Sequence, residues 1–590
     1  MACGKIDIFV PTGPRMRHLV RSIPVRRFGT LALSLSVSLA LVGACTVAPP
    51  AVVERSARAP LLDGYGEASL QPSRANEAAR RLFAQGMAQA YAFNRPEAIR
   101  AFKAALAQDP SCAMCAWAVA WQLGPNINNP KRGDLTEAIR HVDYALKHSQ
   151  GISSRDRALV GALALRYGHA SAGAAVLPAV EICRAPGANA RSEPADPRDI
   201  AYAARLREIL AEHPQDLDVL TLYAEAELVA TDQEWWAEAS GKPAGRVGEV
   251  ADLIEAALVR RPDHVGLNHY MIHAVDAVAV AARAVPAADR LGRLAPKSPH
   301  LLHMPSHTYA HVGRYADATR VNQLAVAADE ALMADLARQG FSVTFDWRGH
   351  NTHFQWFGAL MEGRAGLALE TARAAAGRAK GTHAYAEYTR SLPLLTLLHL
   401  QRWDALLREP TPTGDQGLAP VLADAARGIA MVRTGDLAGA RAALARVQPQ
   451  ADSLVAKHPG KDYFPRMLRS LAGSAAKELA AELAFADGRV DAALALQAGA
   501  VEAALDANRA EPPMLASGPR LRLGAMQLRA GRYPEAEASF RADLARHPGS
   551  GWALHGLGKA LAAQGKTDPA AQRRLAESWA RADAEVRAVM

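Results

Sequence analysis

Small and bulky apolar residues recur along this chain at fixed intervals, with charged residues filling many positions between them. Gly86 is followed by Ala98 after twelve positions, Phe102 after sixteen and Pro110 after twenty-four. Gly524, Ala536, Phe540 and Pro548 repeat those intervals. Leu557, Gly558 and Gly565 then return thirty-four residues after Leu523, Gly524 and Gly531. Weaker units run through Gly428, Gly435, Ala440 and Leu444, and through Ala481, Gly488, Ala493 and Ala500. The spacing predicts pairs of antiparallel helices. Small residues let two helices approach, the bulky residue fills the gap, glycine makes the turn and proline ends the second helix. No run of alternating β-branched and aromatic residues predicts a strand.

This register resembles the tetratricopeptide (TPR) repeat, which implies an all-α fold, a right-handed α-solenoid of TPR-type helical hairpins. Abundant alanine and leucine suit close-packed helices, and a hydrophobic fraction of 50% is enough for a core. Two breakers interrupt the pattern. Residues 169–200, with several prolines, predict an exposed loop. Glu409-Pro-Thr-Pro-Thr-Gly-Asp-Gln-Gly predicts a linker at 409–419, between a helical region at 75–408 and a C-terminal array at 420–590.

Residues 1–45 predict a lipoprotein signal peptide. Arg15, Arg17, Arg21, Arg26 and Arg27 precede an apolar run, Leu31 to Leu41, too short for a membrane span. Leu41-Val-Gly-Ala-Cys45 looks like a lipobox, with Cys45 as the lipidated residue. Residues 46–74 are then expected to be a flexible tether. Thr46 after that cysteine favours an outer-membrane, periplasm-facing location in a bacterial envelope. More than half of the net charge of +9 resides in the leader, where Lys5 and five arginines face only Asp7. The mild remainder gives no argument for nucleic acid. Cys112 and Cys115 form a C-x2-C that admits three readings: small apolar packing, a disulfide in an oxidising compartment, or a metal or redox role. Cys183 stands alone in the 169–200 loop.

Nine of the nineteen histidines fall between His264 and His353. His269 and His273 are four apart, as are His303 and His307, and His350 and His353 are three apart, so each pair shares one helical face. Imidazole is the commonest protein metal ligand. His269, His273, His303, His307, His350 and His353 are therefore candidate ligands for a divalent transition metal, converging on the concave face of the solenoid. Asp276, Asn351 and Asn126 are candidate second partners or ligand contacts. His303 is expected in a turn before a helix containing His307. His264 and His311 fit least well and are expected at the surface. The competing reading is that buried rings bond backbone carbonyls and only fix repeat packing. No G-x-S-x-G, P-loop, G-x-G-x-x-G or H-E-x-x-H is present, so no nucleophile or protease base stands out.

Several motifs together resemble a bacterial family of TPR-containing proteins with eukaryotic relatives. They are Phe93-Asn94 with Glu97-Ala98; Asp109-Pro110-Ser-Cys112; Gly124-Pro125-Asn126-Ile-Asn128; His269-Tyr270-Met-Ile-His273-Ala274; His303-Met-Pro-Ser-His307 with Gly313-Arg-Tyr315; and His350-Asn351-Thr-His353-Phe354. The resemblance covers residues 75–365 and implies fold more firmly than activity. Cys115 and His311 depart from it. The expected function is a lipid-anchored interaction scaffold for a protein or peptide partner, with a central histidine-rich metal or ligand site. The alternative is a metal-dependent enzyme in which Asp276 orients a ring or acts as base and Asn351 binds substrate.

Overall fold

A computed structural model describes residues 51–588 apart from 130–132, 169–194, 232–234, 238–239, 461 and 517. The leader, Cys45 and Cys183 lie outside the described residues, as does most of the 169–200 loop. Among the described residues regular structure is helical, apart from one isolated bridge between Trp236 and Pro243. No described helix is long and apolar enough to cross a membrane.

The chain is an α-solenoid of TPR-type hairpins. Glu77–Tyr91 pairs with Arg95–Gln108, and Gly518–Arg529 pairs with Tyr533–Arg546. The intervals read in the sequence have one physical cause in both places. A Cβ at Gly86 would strike the Phe102 ring, and a Cβ at Gly524 would strike Phe540. Glycine is what lets each phenylalanine lie in the crossing of its own hairpin. The helices begin where local chemistry starts them: the Asn76 side chain accepts from Ala79 N–H at 2.9 Å, and Pro96 occupies the first turn of the next helix.

Two expectations are corrected. Residues 46–74 are not free as a tether from residue 60 onward, because Tyr65 and Leu70 are buried apolar anchors, Lys297 N–H donates to Gly64 O at 3.0 Å, and the Ser69 hydroxyl bonds Asp218. Nor does 409–419 separate two bodies. Arg373 pairs with Glu409 at 2.6 Å, and the buried Glu387 carboxylate accepts from Leu418 and Ala419 N–H at 2.8 and 2.9 Å. Residues 51–590 form one compact unit.

Two large apolar clusters dominate that unit, beside two small ones among the C-terminal helices. The first large cluster runs from Tyr65 to Trp347 and the second from Tyr315 to Val586. The C-terminal hairpins fold back on the middle of the chain. Trp552 Nε1–H donates to Leu360 O at 2.8 Å, and Asp583 N–H donates to Gly363 O at 3.0 Å. Gly313, at φ +80°, permits this closure, since a Cβ there would strike Pro548 O. The helix that carries His350 and His353 starts beside Trp347 of the first cluster and runs into Trp356 and Phe357 of the second.

Candidate metal centre

Three stretches of chain place the histidines. Helix Val265–Ala274 carries His269 and His273 one turn apart. Ser298 caps the short helix Pro299–His303, and Pro305 opens Pro305–His311 directly behind it. Met304 between them keeps right-handed helical φ and ψ, although the missing proline N–H breaks the hydrogen-bond ladder there. His300, His303 and His307 thus follow one another along nearly continuous helix. Asp329 sets the third stretch: its carboxylate accepts from Trp347 N–H at 3.0 Å and from Asn351 Nδ2–H at 2.7 Å, fixing the start of helix Arg348–Met361 and with it His350.

The rings form two triads side by side. In the first, His269 Nε2 lies 3.1 Å from both His273 Nε2 and His300 Nε2. In the second, His303 Nε2 lies 3.1 Å from His307 Nε2, and the His350 ring sits 4.6 Å from that of His303. Within each triad one ring nitrogen per residue lies within 4.8 Å of the others. His300 and His303 belong to different triads, with ring centres 6.1 Å apart. Two nitrogens about 2.1 Å from a common ion stand about 3.0–3.4 Å apart for angles from square to tetrahedral, so the observed spacing is that of neighbouring ligands.

Outer partners fix the tautomers. His269 Nδ1–H donates to Tyr91 O at 2.7 Å. His303 Nδ1–H donates to Asn322 Oδ1 at 2.7 Å, while the Asn322 amide nitrogen donates to Ala318 O, so its oxygen must face the ring. His307 Nδ1–H donates to Glu511 Oε2 at 2.8 Å and approaches Asp276 Oδ2 at 3.2 Å. A neutral ring protonated at Nδ1 presents a lone pair at Nε2. Burial makes charge costly: it pushes His269 down to about 3, and burial together with the neighbouring rings holds His273, His300, His303 and His350 well below the usual histidine range. The buried His350 Nε2 has no hydrogen-bond partner.

Aromatic rings wall the triads. Phe93, held at φ 51° in the turn after the first helix, lies 4.5, 5.6 and 5.0 Å from the rings of His269, His273 and His300. Trp347 stacks on His300 at 4.3 Å, and Phe354 contacts all three rings of the second triad. One edge is polar. His311 Nε2–H reaches Asp276 Oδ1 at 3.1 Å and Glu511 Oε1 at 3.3 Å. Burial opposes charge on His311, but its hydrogen bonds to these carboxylates prevail and raise it to about 9. Burial likewise opposes charge on Asp276, and His307 with His311 outweighs it, holding that carboxyl below its usual range. With 19% of the His311 side chain exposed, the cluster comes nearest to solvent here.

Five of the six predicted ligand histidines, His269, His273, His303, His307 and His350, fall in the triads. The sixth, His353, stands apart: the Tyr388 hydroxyl donates to Met514 O, so His353 Nε2–H must donate to that hydroxyl, at 2.8 Å, and the nitrogen holds a proton. His300 takes its place; its spacing from His303 and His307 along one helix face was the available signal. Asp276 does meet His307. Asn351 serves Asp329, and Asn126 accepts from Asn128 and Asn129 N–H at 2.9 and 2.7 Å, holding a turn. His303 lies on helix, not in a turn. His264 is no surface residue; its ring caps helix Val265–Ala274 through Leu267 N–H. His311 is an inner partner of two carboxylates. The rings are buried, so they do not line an open concave face. Cys112 and Cys115 are joined to each other in a buried disulfide, which decides among their three readings. Glu511 and Asn322 lie too far off in sequence for local spacing to have found them.

No protein-family model matches the chain, and no curated protein matches it. Solved structures similar to it include the APC/C hetero-tetramer Cut9–Hcn1, at 13% identity and TM-score 0.29, covering 87% of this chain and 79% of that one. The TPR domain of P58(IPK) shares 11% identity at TM-score 0.20, over 85% and 99% of the two chains. Naa15/Naa10 bound to HypK-THB shares 10% at TM-score 0.20, over 86% and 89%. Overlaps this slight say nothing of the site, and the fold stands on the hairpins described above.

Proposed function

We propose that the protein is a metal-binding helical-repeat protein whose interior holds a transition-metal ion at His303, His307 and His350. One observation carries the reading: His303 and His307, whose Nδ1–H groups donate to Asn322 and Glu511, set Nε2 lone pairs 3.1 Å apart. Two lone pairs so held repel, and a cation between them, a metal ion or a proton, makes the contact attractive. A proton shared by those two nitrogens would still leave the buried His350 Nε2 alone. Imidazole donors suit zinc, copper, iron and nickel. Asn322, Asp276 and Glu511 are the outer partners that such ligands require. Elemental analysis of the purified full chain tests this. About one ion per chain or more, with one ion fewer in His303→Ala plus His307→Ala, supports it; a wild-type chain that neither retains nor takes up Zn2+ or Cu2+ sinks it.

Around the ion, the solenoid would serve as a scaffold for a protein or peptide. A groove of about 650 Å³ between helices Pro197–Glu212 and Val247–Arg260, edged by Arg207, Arg246 and Arg260 over Tyr223, supports that role. The enzyme alternative draws on three-histidine ligation, which leaves coordination positions open, with Asp276 beside it. Membership of the bacterial TPR family, and anchoring of the chain to the envelope through lipid on Cys45, remain proposals supported by the motifs and by Leu41-Val-Gly-Ala-Cys45. The Cys112–Cys115 disulfide fits an exported chain. Cys45→Ser should move the protein from the membrane to the soluble fraction; an unchanged distribution rejects the anchor.

A further inference from the structure

Resting on that reading, we infer that His269, His273 and His300 hold a second ion beside the first, and that both ions are copper. The second triad stands on its own observations. His269 Nδ1–H is committed to Tyr91 O, so its Nε2 lone pair faces two further ring nitrogens at 3.1 Å each. The anchor of this triad is Tyr91 O, on a different segment from the partners that orient the first site. Phe93 adopts a left-handed backbone that side chains disfavour, and that conformation lays its ring against all three imidazoles. A strained turn whose side chain seals three converging nitrogens is the wall of a site. His300 and His303, one turn apart on one short helix, then make the two sites neighbours.

The donor set selects the metal. Neither triad contains a thiolate or a carboxylate; each is three buried imidazoles walled by aromatic rings. Zinc prefers a fourth ligand and would bring two positive charges to each triad. Burying such charge without a partner is costly. Asp276 and Glu511, which hydrogen-bond His307, divide their charge between it and His311. Monovalent copper carries half that charge and is content with three nitrogen donors. Among the divalent ions, too, copper stands above zinc in intrinsic affinity for nitrogen sites.

The test uses the full chain, stripped with a chelator and titrated under anaerobic conditions with Cu+ and, separately, with Zn2+. Two Cu+ per chain are expected, falling to one in His273→Gln and in His269→Ala, with Zn2+ bound more weakly than Cu+. One Cu+ per wild-type chain, unchanged in those variants, overturns the second site and leaves the first standing. No uptake of either ion overturns both. Two Zn2+ held more tightly than Cu+ overturn the assignment to copper. X-ray absorption at the copper edge on the wild-type chain needs no variant to fold: about three nitrogen neighbours per copper are expected, and sulfur neighbours would overturn the proposal.

Discussion

Asp329 shows how one side chain can tie stability to pH. Burial comes first among the causes that raise its carboxyl to about 8, with Asp346 adding to it and the Trp347 N–H bond opposing. The folded chain therefore holds a proton that the unfolded chain releases near its ordinary value of 3.8. That contribution to stability is complete below 3.8 and is lost as pH rises to about 8. An amide does not titrate: its oxygen keeps the Trp347 N–H bond and, once the Asn351 amide turns over, its nitrogen donates to Asn351 Oδ1, a buried oxygen otherwise without a partner. Asp329→Asn should gain on the wild type by up to about 1.4 kcal/mol per pH unit between pH 4 and 8. Urea melts at pH 5 and pH 8 check this; equal differences at both would refute it. A second expectation concerns Asn322. Removing the acceptor for His303 Nδ1 in Asn322→Ala frees the ring's tautomer and should weaken ion binding by about 10–100-fold in chelator competition. At this scale the sequence showed the ring types and their spacing. It could not show which ring nitrogen is spoken for, because Tyr91, Asn322, Tyr388 and Glu511 reach the rings from distant segments.

At the scale of the hairpin, the intervals from Gly86 and Gly524 were legible because they report a contact inside one unit. Gly524→Ala should cost about 1–3 kcal/mol through overpacking against Phe540, although alanine is the better helix former. A thermal melt that rises, with alanine's propensity winning, would show that the crossing can widen. Pro305 marks the limit of such reading. Proline suggested a turn before the His307 helix, yet Met304 stays helical and the ladder merely skips a bond, which keeps His300 and His303 in line with His307. Tyr65 and Leu70 mark another: a polar, proline-containing stretch reads as a tether until its two apolar residues find a surface.

For the whole molecule, the histidines join two apolar clusters. His269 and His273 sit on a helix of the first, and His350 opens a helix that continues into the second. An ion gripping both should stabilise the whole of 51–588 by about 4 kcal/mol at a thousandfold excess over its dissociation constant. Calorimetry should show a single transition moving upward with metal; two transitions, of which one alone responds, would mean that the clusters melt independently. The closure of the C-terminal hairpins onto Leu360 and Gly363 was hidden from the sequence because every contact that makes it spans a long stretch of chain. One of these contacts bears on biosynthesis. Glu511 follows His307 by 204 residues. At translation rates of about 5–20 residues per second, His307 emerges on the order of 10–40 s before the carboxylate that orients it. A nascent chain carries every ring but cannot yet aim this one, so maturation of the centre waits until residue 511 has been made, and a product truncated before it is left without the centre.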